Sequence, residues 1–518
     1  MEINTNVDYL KNKKCADVYT ESATDYVLPD YLGDVRKILY TEATLNPSGR
    51  FAGGDDVEFS GIVVYNLIYL DANGELSSVS FTSDYGYSVK CSGENYSDSV
   101  ADTRVSNYAV RLVGPRKINA KASLVGSVRL SERETLGISG DGFSGENHPE
   151  LDSDAFPIRS SRVSATCERE YAESVARLDG AIADEVSVVY PFGEAVVEEV
   201  IPSDSSACVK GKLRMCAVIK NGDEPAYSTE KVIPFEESVE LEGADEAMRL
   251  VPDVRILSLR PNVNADEVGS EVVISCIMEI CVIAEENQTV ELTRDGYLKE
   301  KGTDNEYSDF NYETIVDASS VKGSHSAELS RGDMESEWIH EVIFLSSTPR
   351  VDSVTLSDGV VTLLGEIRYS GIASEMMDDK NSYFGIKFSS PFAINVNLDC
   401  QNDDKTHVEA EIHTYNTSAT LDNEKLYATC SIDCSVMAVE DRCERILSSM
   451  SVKDEESEEK TASITVYYPT SEDTLFSVAK RFRSSRVKIA KDNGVTEKVF
   501  SSDNPHGSLA GIKKLIIY

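Results

Sequence analysis

The sequence predicts a mainly β protein: three tandem antiparallel β-rich repeats followed by a small βααβ module. Three observations carry that expectation. Short runs with apolar residues at every second position recur along most of the chain, the period of a half-buried strand. A strand pattern centred on glycine appears three times, with the glycines 150 and 154 residues apart. The last 58 residues then change both period and charge sign.

The glycine-centred runs are Phe59-Ser-Gly61-Ile-Val-Val-Tyr65, Val209-Lys-Gly211-Lys-Leu-Arg-Met215 and Leu363-Leu-Gly365-Glu-Ile-Arg-Tyr369. Large apolar residues stand at −2, +2 and +4 from each glycine. Glycine weakens a strand interior, so its recurrence points to a bulge or a close backbone approach. Upstream lie Val35–Tyr40, Val186–Tyr190 and Val342–Leu345. Downstream, 24, 24 and 27 residues after the glycines, come Tyr85–Val89, Phe235–Val239 and Phe392–Val396, each an aromatic followed four residues later by valine. A second β-rich half completes each repeat: Tyr108–Leu112 with Arg116–Val125, Val254–Leu259 with Glu271–Met278, and His407–His413 with Leu426–Ile432. Strands of five to nine residues are expected, separated by turn signals such as Asn73-Gly74, Asn221-Gly222 and Asp358-Gly359.

Composition sets the boundaries. Residues 1–135, 166–297 and 336–451 are the repeats, the third degenerate. Residues 136–165, rich in glycine around 137–145, are expected to be a flexible connector, and 298–335 a polar one. Residues 452–460 form an acidic linker.

In the module at 461–518, Ile464–Tyr468 and Leu515–Ile517 read as strands. Leu475, Val478, Ala479 and Phe482 make one helical stripe, capped by Ser471 or Asp473. A second helix carries Ile489 and Ala490 inward and stops at Asn493-Gly494.

Ninety Asp and Glu against fifty Lys and Arg give a net charge of −40. That balance argues against nucleic-acid binding by the body, because phosphate contacts need a positive surface. The module holds nine basic and five acidic residues, so a basic tail follows an acidic body that can attract basic partners. Eleven scattered cysteines without a CxxC pair suggest buried, reduced thiols in a reducing compartment. The N-terminus lacks the pattern of a signal peptide, and no apolar run is long enough to span a bilayer, so a cytoplasmic protein is expected.

Signs of catalysis are sparse. The chain has no P-loop, no GxGxxG after a strand, no G-x-S-x-G elbow and no HExxH. His407 and His413 share a strand face that suits solvent better than a metal, and Cys430 and Cys434 suit a core. Trp338 is expected to be a packing anchor ahead of the third repeat. The expectation is a protein that is not an enzyme and needs no cofactor or metal. The candidate partner-binding residues lie in the tail: Asp473, Thr474, Lys480, Arg481, Arg483, Arg486, Lys488 and Asn493.

Asp473-Thr-Leu475, Val478-Ala479, Phe482, Ile489, Asn493 and Val495 resemble the LysM pattern in order and spacing. LysM domains bind N-acetylglucosamine polymers through the loops after the first strand and the second helix. Here Glu472 replaces the usual glycine, and the second loop is long, from Thr496 to Ala510. Together with Gly61–Tyr69, Val113–Ala120 and Pro234–Leu241, the chain resembles the SPOCS-domain family of spore-forming Firmicutes, of the SipL type. That resemblance implies a scaffold or adaptor in spore coat assembly. It would sit in the mother-cell cytosol or at the forespore surface, its LysM tail docked on the coat-base ATPase. The alternative is a protein of the cell envelope whose LysM holds peptidoglycan.

Overall fold

The computed structural model describes residues 7–14, 17–53, 56–90, 96–136, 139–141, 148–242, 244–246, 248–299, 301–334, 339–377, 380–400, 405–422, 425–453, 464–500 and 507–518. The chain is mainly β, with antiparallel sheets. It opens with β1 (Val7–Lys14), β2 (Val18–Val27), β3 (Val35–Gly53), β4 (Asp56–Asp71), β5 (Leu76–Lys90), β6 (Tyr96–Gly114) and β7 (Lys117–Leu136). After β8 (Ser139–Asp141) come β9 (Glu150–Asp179), β10 (Val186–Ser203), β11 (Ser206–Asn221), β12 (Tyr227–Glu240), β13 (Arg249–Ala265) and β14 (Gly269–Tyr297). Then follow β15 (Thr303–Ser330), β16 (Ile339–Ser357), β17 (Val360–Met377), β18 (Lys380–Asn397), β19 (Thr406–Leu421) and β20 (Lys425–Val452).

One pairing order occurs three times. The sheets β3-β4-β5, β10-β11-β12 and β16-β17-β18 each hold a glycine-centred strand in the middle. Opposite them lie sheets whose middle strands are β7, β14 and β20, flanked by β2 and β6, by β9 and β13, and by β15 and β19. The two sheets of each block enclose a separate apolar core.

The glycines do what strand logic requires of them. Each pairs directly with the downstream aromatic: Gly61 with Tyr85, Gly211 with Phe235 and Gly365 with Phe392. The ring lies over the missing side chain, and the preceding strand carries a bulge beside the glycine, at Pro47/Gly49, Val197/Glu199 and Val351/Ser353. A β-carbon on Gly211 would stand 2.1 Å from the Val196 carbonyl oxygen and 2.6 Å from the Phe235 ring. Both anticipated reasons for the glycine, bulge and close approach, apply together.

Strands run well beyond the expected five to nine residues; β9 has thirty. Prolines sit within outer strands, as Pro191 does in β10, where the sheet tolerates a missing N–H. Two expected connectors are also strand. Residues 150–165 belong to β9, and 303–330 form β15. Phe310 and Tyr312 alternate with polar neighbours there, so the segment buries one face despite its charged composition. The glycine-rich residues 137, 138 and 142–147, Trp338, and 454–460 of the acidic linker lie outside the described residues.

This extra length forms three antiparallel ribbons. β1 pairs with Arg129–Leu136, the first part of β9 with the end of β14, and the first part of β15 with the end of β20. Phe156, Ile158, Val290, Leu292, Phe310, Tyr312 and Ile446 pack together, with Leu136 against them, so all three ribbons join in one stalk.

The blocks meet at a second junction. Tyr40, Tyr190 and Phe344, from β3, β10 and β16, contact one another at ring-centroid distances of 5.9, 5.0 and 5.6 Å. Ile68, Val218 and Ile372, each seven residues beyond its glycine, pack into the same cluster. The Tyr190 hydroxyl donates to Glu42 at 3.0 Å. At the base of the stalk, Arg159 is 1% exposed. Its guanidinium donates to both oxygens of Glu409 at 3.0 and 2.9 Å, and to Glu285 and Glu313. Burial alone would lower the Arg159 pKa, but the carboxylates outweigh it and raise it.

Candidate docking module and its clasp on the stalk

The C-terminal module contains β21 (Thr465–Tyr467), α1 (Leu475–Arg481), α2 (Arg486–Asp492), α3 (Thr496–Val499) and β22 (Leu515–Ile517). The α1 stripe of Leu475, Val478 and Ala479 buries against Ile489 and Ala490 of α2 and Leu515 and Ile517 of β22. The short helix α3 is an addition to the expected long loop. Its four residues have too short a period to stand out in the sequence.

Each candidate residue has a definite place. Thr474, rather than Ser471 or Asp473, is the N-cap of α1. Its hydroxyl accepts from the Ser477 N–H at 3.1 Å, and the Ser477 hydroxyl answers the Thr474 N–H. Asp473 instead braces the preceding turn, accepting from the Thr470 N–H at 2.7 Å and from the Tyr467 hydroxyl at 2.9 Å. The Thr470 N–H holds the Asp473 carboxyl below the usual range, the hydroxyls add to it, and slight burial opposes. Asn493 ties α2 to β22: its amide donates to the Ile489 and Ile516 carbonyls, and its oxygen accepts from the Ile516 N–H at 2.7 Å. These three residues therefore serve the module's own fold.

The cations divide. Arg481 lies over the Tyr467 ring at 5.6 Å. Arg483, with a left-handed φ of 45°, and Lys488 are exposed. Lys480 and Arg486 are turned toward the body. Lys480 donates to Asp295 at the end of β14. Arg486 donates to Glu150 at 3.0 Å and to the Leu151 carbonyl at 2.9 Å, and its guanidinium lies 5.4 Å from the centre of the Phe476 ring. Between these pairs Tyr297 enters the module's core. It is 3% exposed, meets Phe476 edge-on at 5.3 Å, and donates its hydroxyl to the Ser484 carbonyl at 2.7 Å. The composition of 461–518 could not reveal this clasp, because its partners lie more than 160 residues upstream.

Gly296 sets the corner. A β-carbon there would come within 3.0 Å of Leu151 and 3.1 Å of the Met450 sulfur. Asp295 is further held by the Tyr307 hydroxyl, the Asn305 amide and the Gly296 N–H. Burial pushes the Asp295 carboxyl up, but the bonds from Lys480, Tyr307 and Gly296 prevail and lower it. Glu150 behaves alike, with burial opposed by Arg486 and Lys299. Both folded-state values lie below their unfolded ones, so the contribution is whole above the ordinary carboxylate range and is lost as pH falls through the lowered values. Hydrogen exchange of the α1 and α2 amides, corrected for intrinsic rates, should therefore accelerate below about pH 4 and stay flat between about pH 5 and 8.

The loop before α1 and the loop before β22 are joined to each other. The Leu475 N–H donates to the Gly507 carbonyl at 2.8 Å, the Leu509 N–H to the Asp473 carbonyl at 3.0 Å, and Thr474 bridges Ser508. Outside, the β21–β22 sheet shows Ile464, Val466, Tyr468 and Tyr518 to solvent.

Cys430 and Cys434 are buried, while Cys443 is exposed, and the described cysteines are free thiols. The Tyr369 hydroxyl bridges Cys430 and His325 inside the third block. His407 lies 3.9 Å from Asp441 and 4.0 Å from Glu409. Asp102, Asp253 and Glu411 occupy equivalent places opposite Ser127, Cys281 and Ser435. Surrounding protein, then Asp102, Asp253 and Glu285, push the Glu411 carboxyl up against the pull of His413, although Glu411 keeps solvent contact. Among the described residues no three His, Cys, Asp or Glu side chains are placed to hold a metal, and no helix is long and apolar enough to cross a membrane.

Compared with protein-family models, curated proteins and solved structures, the chain matches none.

Proposed function

We propose that the chain is a non-enzymatic scaffold in spore coat assembly. In this reading the three blocks are SPOCS-like units, and the LysM-like tail docks on a protein partner such as the coat-base ATPase. The protein would work in the mother-cell cytosol, at the forespore surface. Two features support this: the recurring pairing order, with its glycine–aromatic pairs, and the tail's two-stranded sheet with α1 and α2 packed on it, with Asp473, Thr474 and Asn493 as its internal braces.

One observation favours a protein over a glycan. A sugar chain would have to lie between the loop at 468–474 and the loop before β22, and backbone bonds from Leu475 and Leu509 hold those loops together. Opening them would leave buried polar groups without partners, at about 1–3 kcal/mol each. The outward cations Arg483 and Lys488 suit a partner with carboxylates.

The test uses the full chain, because Tyr297 is part of the tail's core. The chain should bind the purified ATPase and remain in the supernatant with peptidoglycan. Exchanging Arg483 and Lys488 together for Glu should weaken ATPase binding about tenfold, near 1.4 kcal/mol, without lowering the melting temperature. Sedimentation with peptidoglycan in the absence of ATPase binding would overturn the proposal in favour of an envelope protein.

A further inference from the structure

The tail is held by very little. Among the described residues no tail helix or strand makes an extended contact with a body strand. One aromatic plug, Tyr297, two ion pairs, Lys480–Asp295 and Arg486–Glu150, and the bond from Arg486 to the Leu151 carbonyl carry the attachment among the described residues. That is the anatomy of a small recognition site: an anchor ring in an apolar pocket, a backbone carbonyl taking its hydroxyl, and flanking charges of opposite sign. The pocket lies on the tail, between Phe476 and the α1–α2 turn. The segment filling it is Asp295-Gly296-Tyr297, a carboxylate two residues before an aromatic.

We propose that the α1–α2 surface of the tail is a receptor for acidic–aromatic segments, and that the stalk corner Asp295-Gly296-Tyr297 occupies it in cis as a latch. A partner segment with the same chemistry competes for Lys480, Arg486 and the Phe476 pocket. The corner suits this role because its geometry is set from the stalk side. Gly296 packs against Leu151 and Met450, and Asn305 and Tyr307 hold Asp295, so the corner stays formed when the tail leaves. Lys480 and Arg486 then become available to a ligand, in addition to Arg483 and Lys488. The inference builds on the docking reading and names the chemistry of a second contact.

The probe is a synthetic peptide of residues 291–299, Glu-Leu-Thr-Arg-Asp-Gly-Tyr-Leu-Lys, with a scrambled control. Binding is followed by fluorescence anisotropy and latch opening by hydrogen exchange, both on the full chain. The wild type should bind the peptide no better than the scramble. Tyr297→Ser should speed exchange at the α1–α2 turn at least tenfold and gain peptide binding at least tenfold over the scramble. Should Tyr297→Ser melt the module, Asp295→Lys carries the same test: it keeps the plug and reverses the charge facing Lys480, while also removing the acceptor of Tyr307 and Asn305. Adding Lys480→Asp to that variant should restore the latch. Failure of both opened variants to bind the peptide, or unchanged exchange in Asp295→Lys, would overturn the latch. A chain that binds the ATPase without a latch loses only this inference. One that shows the latch but binds no ATPase loses only the docking reading.

Discussion

Phe344→Ala should destabilise the protein by about 3–5 kcal/mol, the range for removing a buried aromatic whose surroundings relax only partly. Phe344 touches Tyr40, Tyr190 and Phe192, one ring from the first block and two from the second. The loss therefore falls on the junction between blocks rather than on one core. Two measurements check this. The urea midpoint should fall, and amide exchange should rise first at Ile68, Val218 and Ile372, which share the cluster. Softening confined to the third block would show that the three-ring contact carries little. Phe344→Leu, which keeps most of the volume, should cost less than half as much.

Gly211→Ala should be nearly as damaging, at about 3 kcal/mol, although it adds a single methyl group. The new carbon would meet the Val196 carbonyl, a rigid backbone atom, and the Phe235 ring at once. Relief requires displacing the β10 bulge or the aromatic, and both belong to the second block's core. Gly323→Ala in β15 is the control, because a β-carbon there would find no atom within 4 Å. That change should leave stability within about 0.5 kcal/mol or raise it slightly. Equal effects at the two positions would mean that the glycine–aromatic pairing is incidental.

Much of the fold was legible in short stretches. The glycine at the centre of each recurring strand signalled a bulge or a close approach, and both are present because the reason is local: two neighbouring strands and one ring. The turn at Asp358-Gly359 was legible for the same reason, with both residues at left-handed φ between β16 and β17. The module's first helix followed from the spacing of Leu475, Val478 and Ala479. Strand length was less legible. Charged and polar composition hid β15, although Phe310 and Tyr312 alternate correctly, because a ribbon buries only one narrow face.

The candidate site was legible in part. The right segment was chosen, but charge alone could not separate the cations. Arg483 and Lys488 stay outside, Arg481 covers a ring, and Lys480 and Arg486 are engaged by the stalk. Tyr297 and Asp295 gave no sign of belonging to the tail, since nothing near position 297 reports on position 484.

By itself, then, the sequence determined the β class, the recurring glycine-centred strand with its downstream aromatic, and the first and second helices of the tail with the strands that flank them. These depend on contacts between neighbouring strands or within one helix. Only the tertiary structure decided that three ribbons form one stalk, that Tyr40, Tyr190 and Phe344 meet, and that the basic tail is anchored by its own body. The ring junction and the clasp join residues 150 or more positions apart, and all these contacts are set by which apolar and charged faces remain unsatisfied after each block has closed.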